Sequence, residues 1–257
     1  MKPNVLVIAG HDPSGGAGIQ ADIEAIHSLG GFAATLITGL TVQNSQNVYD
    51  FETVSVDLLE RQAEALLEDV SFGAVKIGMT ASPDIVAFIK ALLKKIPHVP
   101  VVLDPVLAAE AGGGLATASL GDILLEELAP LSQVLTPNFP EAQQLAKQEA
   151  VEDCGTLLYK KTNTPILITG THRNTDTDKV ENILFSEKGQ QKWTCKRLPH
   201  RYHGSGCTLS SAMAYFLAAG FSLEDAITQA QTYVFDALSR AWQAGKGQMI
   251  PERRLES

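Results

Sequence analysis

Short runs of β-branched and apolar residues recur along the chain: NVLVIAG (4–10), AATLITGL (33–40), GAVKIGM (73–79), VPVVLDPV (99–106), QVLTPN (133–138) and TPILITG (164–170). Glycine, proline or a polar turn bounds each of them, and most read as strands buried on both faces. The segments between them have a helical period. In GIQADIEAIHSLGG (18–31), Ile19, Ile23, Ile26 and Leu29 share one face and the closing glycines suit a C-cap. SPDIVAFIKALLKKI (82–96) has Ser82 placed as an N-cap, Pro83 at the first helical position and lysines at its end, where they complement the helix dipole.

Strands alternating with helices imply a mostly parallel sheet covered by helices. After TPILITG the pattern changes. ENILFSEKGQQKWTCKRL (181–198) predicts two strands around a Lys-Gly turn, an antiparallel hairpin at the sheet edge. GCTLSSAMAYFLAAG (206–220) and SLEDAITQAQTYVFDALSRAW (222–242) then read as two closing helices. No Gly/Ser or Pro tract, low-complexity segment or internal repeat divides the sequence, so one α/β domain over residues 1–257 is expected.

Composition narrows the function classes. A net charge of −9 and a pI near 5.1 argue against a nucleic-acid-binding surface. The first apolar run stops at Gly10, too short for a signal-peptide core, and no apolar stretch is long enough for a bilayer. A cytoplasmic protein without membrane contact is the expectation. Cys154, Cys195 and Cys207 are few, odd in number and widely spaced, which suits neither a disulfide framework nor a zinc site.

Open parallel sheets bind ligands beyond the C-terminal ends of their strands, so motifs at those ends carry the chemistry. AGHDPSGGAGIQAD (9–22) follows the first strand, with Gly10, Gly15, Gly16 and Gly18 allowing tight turns. It fits neither GxGxxG nor a Walker loop, and Asp12 and Asp22 add polar groups. In HGSGCTLS (203–210), Gly204 and Gly206 free backbone N–H groups ahead of a helix expected to begin near Cys207. That arrangement suits an anion, as in phosphoryl transfer. A thiol at a helix N-terminus is expected to have a lowered pKa, which makes Cys207 a candidate base or thiolate. The competing reading is a small buried hydrophobe.

AGHDPSGGAGIQAD, TVQNSQNV, KIGM, VVLDPV, TPNFPEA and HGSGCTLS occur in one order and spacing. In them, from Val5 to about Pro251, the chain resembles the hydroxymethylpyrimidine/phosphomethylpyrimidine kinases of thiamine biosynthesis, within the ribokinase superfamily. The resemblance implies a ribokinase-like α/β fold, a central mostly parallel sheet with helices on both faces. It also implies ATP- and Mg2+-dependent phosphorylation of 4-amino-5-hydroxymethyl-2-methylpyrimidine, then of its phosphate to the diphosphate, by a homodimer.

Carried over residue by residue, the resemblance has Gln43 pairing with the pyrimidine, and Gly10, Asp22, Met79 and Val106 around it. Asp104 would orient magnesium or phosphate. Asn138 and Glu141 match an Asn-x-x-Glu magnesium and phosphate motif. Gly204, Ser205, Gly206 and Cys207 would hold the transferring phosphoryl group, with Cys207 where relatives carry an aspartate base. Thr169 and Gly170 fall at the nucleotide phosphates.

The chain departs from the family pattern there. Thr169 stands where a lysine is usual and Thr171 replaces a second glycine, so a phosphate-clamping charge is missing. Lys160, Lys161 or Lys179 are candidates to reach in. The stretch Ala142–Pro165 is shorter than usual, and Glu181 and Asn182 replace an aspartate. A non-catalytic pyrimidine-binding or regulatory protein and a pyridoxal kinase are the alternative readings.

Overall fold

The computed structural model describes residues 2–107, 118–171 and 178–255. The buried apolar runs form strands β1 (Asn4–His11), β2 (Phe32–Gln43), β4 (Ala74–Ile77), β5 (Val101–Leu103), β6 (Val134–Leu135) and β7 (Ile166–Ile168). These six lie parallel, and the full sheet runs β3-β2-β1-β4-β5-β6-β7-β8-β9. The expected hairpin is β8 (Lys179–Ser186) with β9 (Gly189–Lys196), antiparallel at one edge. The opposite edge is β3 (Val48–Thr53), which pairs antiparallel with the end of β2. Nothing in the apolar pattern marks β3, because its residues are half-buried or exposed.

Alternation along β1 shows how the sheet is covered. Leu6 and Ile8 face one core, shared with helices α2 (Val56–Asp69), α3 (Pro83–Lys95), α4 (Ala118–Glu127), α5 (Phe139–Ala146) and α6 (Val151–Thr162). Val5, Val7 and Ala9 face the other, built with α1 (Gly18–Ser28), α7 (Ser205–Ala218) and α8 (Leu223–Ser239). A sheet sandwiched in this way buries both side-chain sets of each central strand, the reason for their unbroken apolar character.

Local chemistry sets the helix starts. Ser82 Oγ accepts from the Ile85 amide at 3.3 Å with Pro83 in the first turn, as expected. Asn138 and Glu141 form a reciprocal capping box at the start of α5. The stretch read as shortened holds the last turn of α5 and all of α6, joined by Lys147–Ala150. Helix α7 starts at Ser205, two residues before the position expected, because Gly204 at φ 72° turns the chain into it. No described helix is long and apolar enough to cross a membrane.

Candidate active site

Two openings meet at the start of α7. The smaller, about 70 Å³, is walled by Gly10, His11, Asp12, Gly18, Gln43, Lys76, Met79, Val106, His203 and Cys207. The larger is a cleft of about 650 Å³ that includes Asn138, Thr169, Gly170, Ser205, Gly206 and the β9–α7 connection. Both lie at the C-terminal ends of the parallel strands, where such sheets place ligands.

Gln43 ends β2, half-buried in the wall of the small opening, and its amide nitrogen donates to Thr41 Oγ1. Met79 is buried and Val106 half-buried in the same wall. Asp22 does not reach that wall. It lies one layer behind, where both its oxygens meet the Lys76 ammonium at 2.9 and 3.0 Å and Ser211 Oγ donates to it at 2.6 Å. Lys76 and Asp22 have no exposure. Burial disfavours the ammonium, but the carboxylate of Asp22, with Cys207 and Asp104, outweighs it and holds Lys76 firmly charged. Lys76 was not foreseen as a site residue. Its signal was a lone lysine inside the apolar run GAVKIGM, at a position fully buried in β4.

Cys207 corrects an expectation. Its thiol is pushed up to about 12, not down. Burial is the main cause, the Asp104 and Asp22 carboxylates add to it, and Lys76 and the Gly18 amide only partly offset them. The resting side chain is therefore a neutral thiol. Asp104, buried just past β5, is raised by burial against the pull of Lys76, and accepts from Ser210 Oγ at 3.1 Å.

The turn before α7 is held from behind. Asp12 accepts from the Ser14 amide at 2.8 Å, Ser14 Oγ at 2.7 Å and the Ala17 amide at 2.9 Å. His203 Nε2 lies 2.9 Å from Asp12 Oδ2, the oxygen that also accepts from the Ala17 amide. Burial raises the Asp12 carboxyl, but the bonds from His203 and Ser14 prevail and keep it below the usual range. The two loops pack backbone to backbone: a Cβ on Gly204 would fall 2.1 Å from the Gly16 carbonyl oxygen, on a left-handed φ of 72°. No side chain caps α7, so its first-turn amides are left for a ligand. Gly206 is exposed, and a Cβ there would meet nothing within 4 Å.

In the cleft, Thr169 is bridged to Asn138, its carbonyl accepting from the Phe139 amide at 2.9 Å. The Gly170 amide donates to Asn182 Oδ1 at 2.9 Å, and Asn182 in turn donates to Gln231 at 2.7 Å. Asn182 thus props Gly170. The candidate replacement lysines are placed elsewhere: Lys161 pairs with Asp122, and Lys160 and Lys179 do not line the cleft. Its cationic lining comes from Lys196, Arg197 and Arg201 instead.

The residues fit a magnesium ion in one manner only. Glu141 Oε2 accepts from the Asn138 amide at 2.9 Å and Oε1 from the Leu107 amide at 3.4 Å, so this carboxylate is already engaged. Among the described residues no group of three or more acidic, His or Cys side chains could enclose a metal. Neither Asp104 nor Glu141 lines either opening, so these two carboxylates would serve only an ion that takes one or two of them and completes its shell with water and phosphate.

The family model for phosphomethylpyrimidine kinase matches residues 12–252. The chain is 35% identical over 246 residues to the hydroxymethylpyrimidine/phosphomethylpyrimidine kinase of Escherichia coli, covering 93% of this chain and 91% of that one. It is 34% identical over 252 residues to the thiamine biosynthesis bifunctional protein ThiED of Geobacter sulfurreducens, covering 96% of this chain; it spans about half (51%) of that relative's length. The Staphylococcus aureus pyridoxal kinase structure in complex with AMP-PCP and pyridoxal superposes with a TM-score of 0.87 at 25% identity, over 98% of this chain and 94% of that one.

Lys76→Met should cost about 3–5 kcal/mol of stability in denaturant unfolding, because Asp22 is left buried without its counter-charge. Adding Asp22→Asn should recover much of that loss. For Cys207, iodoacetamide labelling followed by mass spectrometry at pH 9 should be far slower than for a free thiol and should accelerate as pH rises toward 12. The sign for stability follows: from about pH 9 to about pH 12 only the unfolded chain ionises this thiol, so the contribution of Cys207 falls as pH rises.

Proposed function

The chain belongs to the phosphomethylpyrimidine kinase family, and from that premise we propose that it transfers the γ-phosphoryl group of ATP to 4-amino-5-hydroxymethyl-2-methylpyrimidine, to its monophosphate, or to both in turn. The observation that carries this reading is the meeting of the small opening and the wide cleft at the Ser205–Cys207 turn. An acceptor alcohol in one and a nucleotide in the other would approach in line across the α7 amides.

In this mechanism Gln43 reads the heterocycle and Met79 and Val106 flank it. The amides of Ser205, Gly206 and Cys207 stabilise charge on the phosphoryl group, the main task in phosphoryl transfer. A magnesium ion held by Asp104 and Glu141 would neutralise phosphate charge. Thr169 cannot supply a cation, and Arg197 and Arg201 in the cleft wall take that part. The alcohol step sheds the hydroxymethyl proton. Cys207 is the base proposed for it, and must first ionise, with Lys76 as the cation that favours its thiolate. The phosphate step has an acceptor that is already anionic and needs no such base. A cytoplasmic homodimer is proposed as the working form.

A pyridoxal kinase is the second reading, supported by the superposition on the pyridoxal-bound Staphylococcus aureus enzyme. Purified protein with magnesium-ATP should give the pyrimidine monophosphate, then the diphosphate, by mass spectrometry. Pyridoxal phosphate forming faster than either would favour the second reading. No product from any acceptor, with thermal stabilisation by the pyrimidine alone, would make the protein a binder rather than a kinase.

Gly206→Ala separates site from fold. The added methyl meets no protein atom and replaces a helical glycine, so the melting temperature should hold or rise. It projects where the phosphoryl group would lie, and kcat/KM for ATP should fall by roughly a hundredfold.

A further inference from the structure

Arg253 is among the most deeply buried side chains of the protein, at 1% exposure, yet it comes from the last turn of chain before the C-terminus. It lies one residue beyond the stretch matched by the family model. The segment that carries it is tied down at several points. The Glu252 amide donates to the Ala237 carbonyl of α8 at 3.0 Å, Tyr233 Oη donates to the Arg253 carbonyl at 2.6 Å, and the Leu255 amide donates to Ser28 Oγ at 2.9 Å.

From that anchorage the guanidinium reaches three partners. Nη2 donates to the Gly16 carbonyl, Nε donates to Thr208 Oγ1 at 2.9 Å, and Nη1 meets Glu24 Oε2 at 2.9 Å. Two of these contacts bear on the site. Thr208 follows Cys207 directly, and its hydroxyl donates onward to the Gly204 carbonyl at 2.8 Å. The Gly16 carbonyl is the atom against which Gly204 is packed. Arg253 thus joins the loop after β1 to the first turn of α7. The third contact, to Glu24, is of a different kind, since that carboxylate is 40% exposed.

We propose that Arg253 is a positioning residue for phosphoryl transfer, which holds the Gly204–Cys207 turn at the spacing from the β1–α1 loop that catalysis requires. The planar guanidinium is suited to this, because it spans two acceptors rigidly and remains charged. Its fixed positive charge also stands behind the end of α7 that faces the phosphoryl group. Displacements of about 1 Å in such positioning elements cost up to a hundredfold in rate. The proposal rests on the kinase reading for its effect on turnover, though not for its effect on the geometry of the turn.

The test compares full-length Arg253→Met, Arg253→Lys and Glu24→Gln with the unaltered chain. With magnesium-ATP and the pyrimidine alcohol, Arg253→Met is expected to lower kcat roughly tenfold to a hundredfold. KM for both substrates should stay within about threefold, and Arg253→Lys should recover part of the loss. Glu24→Gln, which removes the ion pair and spares the bridge, should keep kcat within about twofold. Iodoacetamide labelling of Cys207 should accelerate in Arg253→Met and not in Glu24→Gln. That readout requires no turnover, so it decides the role of Arg253 even if the unaltered chain phosphorylates none of the acceptors and the kinase reading itself fails. Should Arg253→Met not fold, Thr208→Val cuts the relay to Gly204 and carries the same expectations. Unaltered kcat and labelling in a folded Arg253→Met or Thr208→Val protein would overturn the proposal. So would a loss in Glu24→Gln equal to that in Arg253→Met.

Discussion

An ammonium and a carboxylate with no exposure to water, Lys76 and Asp22, stand where β4, α1 and α7 converge. Such a pair is a poor source of net stability, since the cost of dehydrating two charges roughly cancels their attraction. What it does supply is a constraint. Neither charge tolerates losing the other, so the three elements must close at one spacing, and Ser211 of α7 completes the shell of Asp22. The same pair governs the field at Cys207, where Lys76 opposes the effects of burial and of the two nearby carboxylates. The protonation state of the thiol therefore depends on a contact whose carboxylate, Asp22, lies behind the wall of the small opening.

The floor of the site is thus electrostatic, while its rim is a matter of backbone. Asp12 gathers three donors from its own loop and reaches His203, which precedes the α7 turn. Gly204 then approaches the Gly16 carbonyl more closely than any side-chain-bearing residue could. The C-terminal segment closes this arrangement from outside through Arg253. Three parts of the chain far apart in sequence thereby set the direction of a few amides. A pocket for a phosphoryl group needs that rigidity, because donors that reorient during transfer lose most of their advantage.

The wide cleft draws its positive charge from residues distant from Thr169 in sequence. Thr169 carries no charge, but the hairpin and the β9–α7 connection bring Lys196, Arg197 and Arg201 to the same cleft. Asn182 keeps Gly170 in place through a neutral hydrogen bond. The cationic lining of the cleft thus comes from the end of the antiparallel edge strand and the connection that follows it.

The central strands, the helix capped by Ser82 and the edge hairpin were legible in the sequence because their causes are local: apolar runs, a capping oxygen and turn residues act within a few positions. The motifs at the strand ends were legible for the same reason. The antiparallel edge strand β3 was not, since an exposed edge leaves no apolar period. Nor was the protonation of Cys207. A helix start alone predicts a lowered pKa, and only the packing shows that burial, with Asp104 and Asp22, overrides it. Arg253 gave no local signal at all. Its partners lie 45, 229 and 237 residues away along the chain, and charge at that separation acquires a role only when folding has brought it within reach.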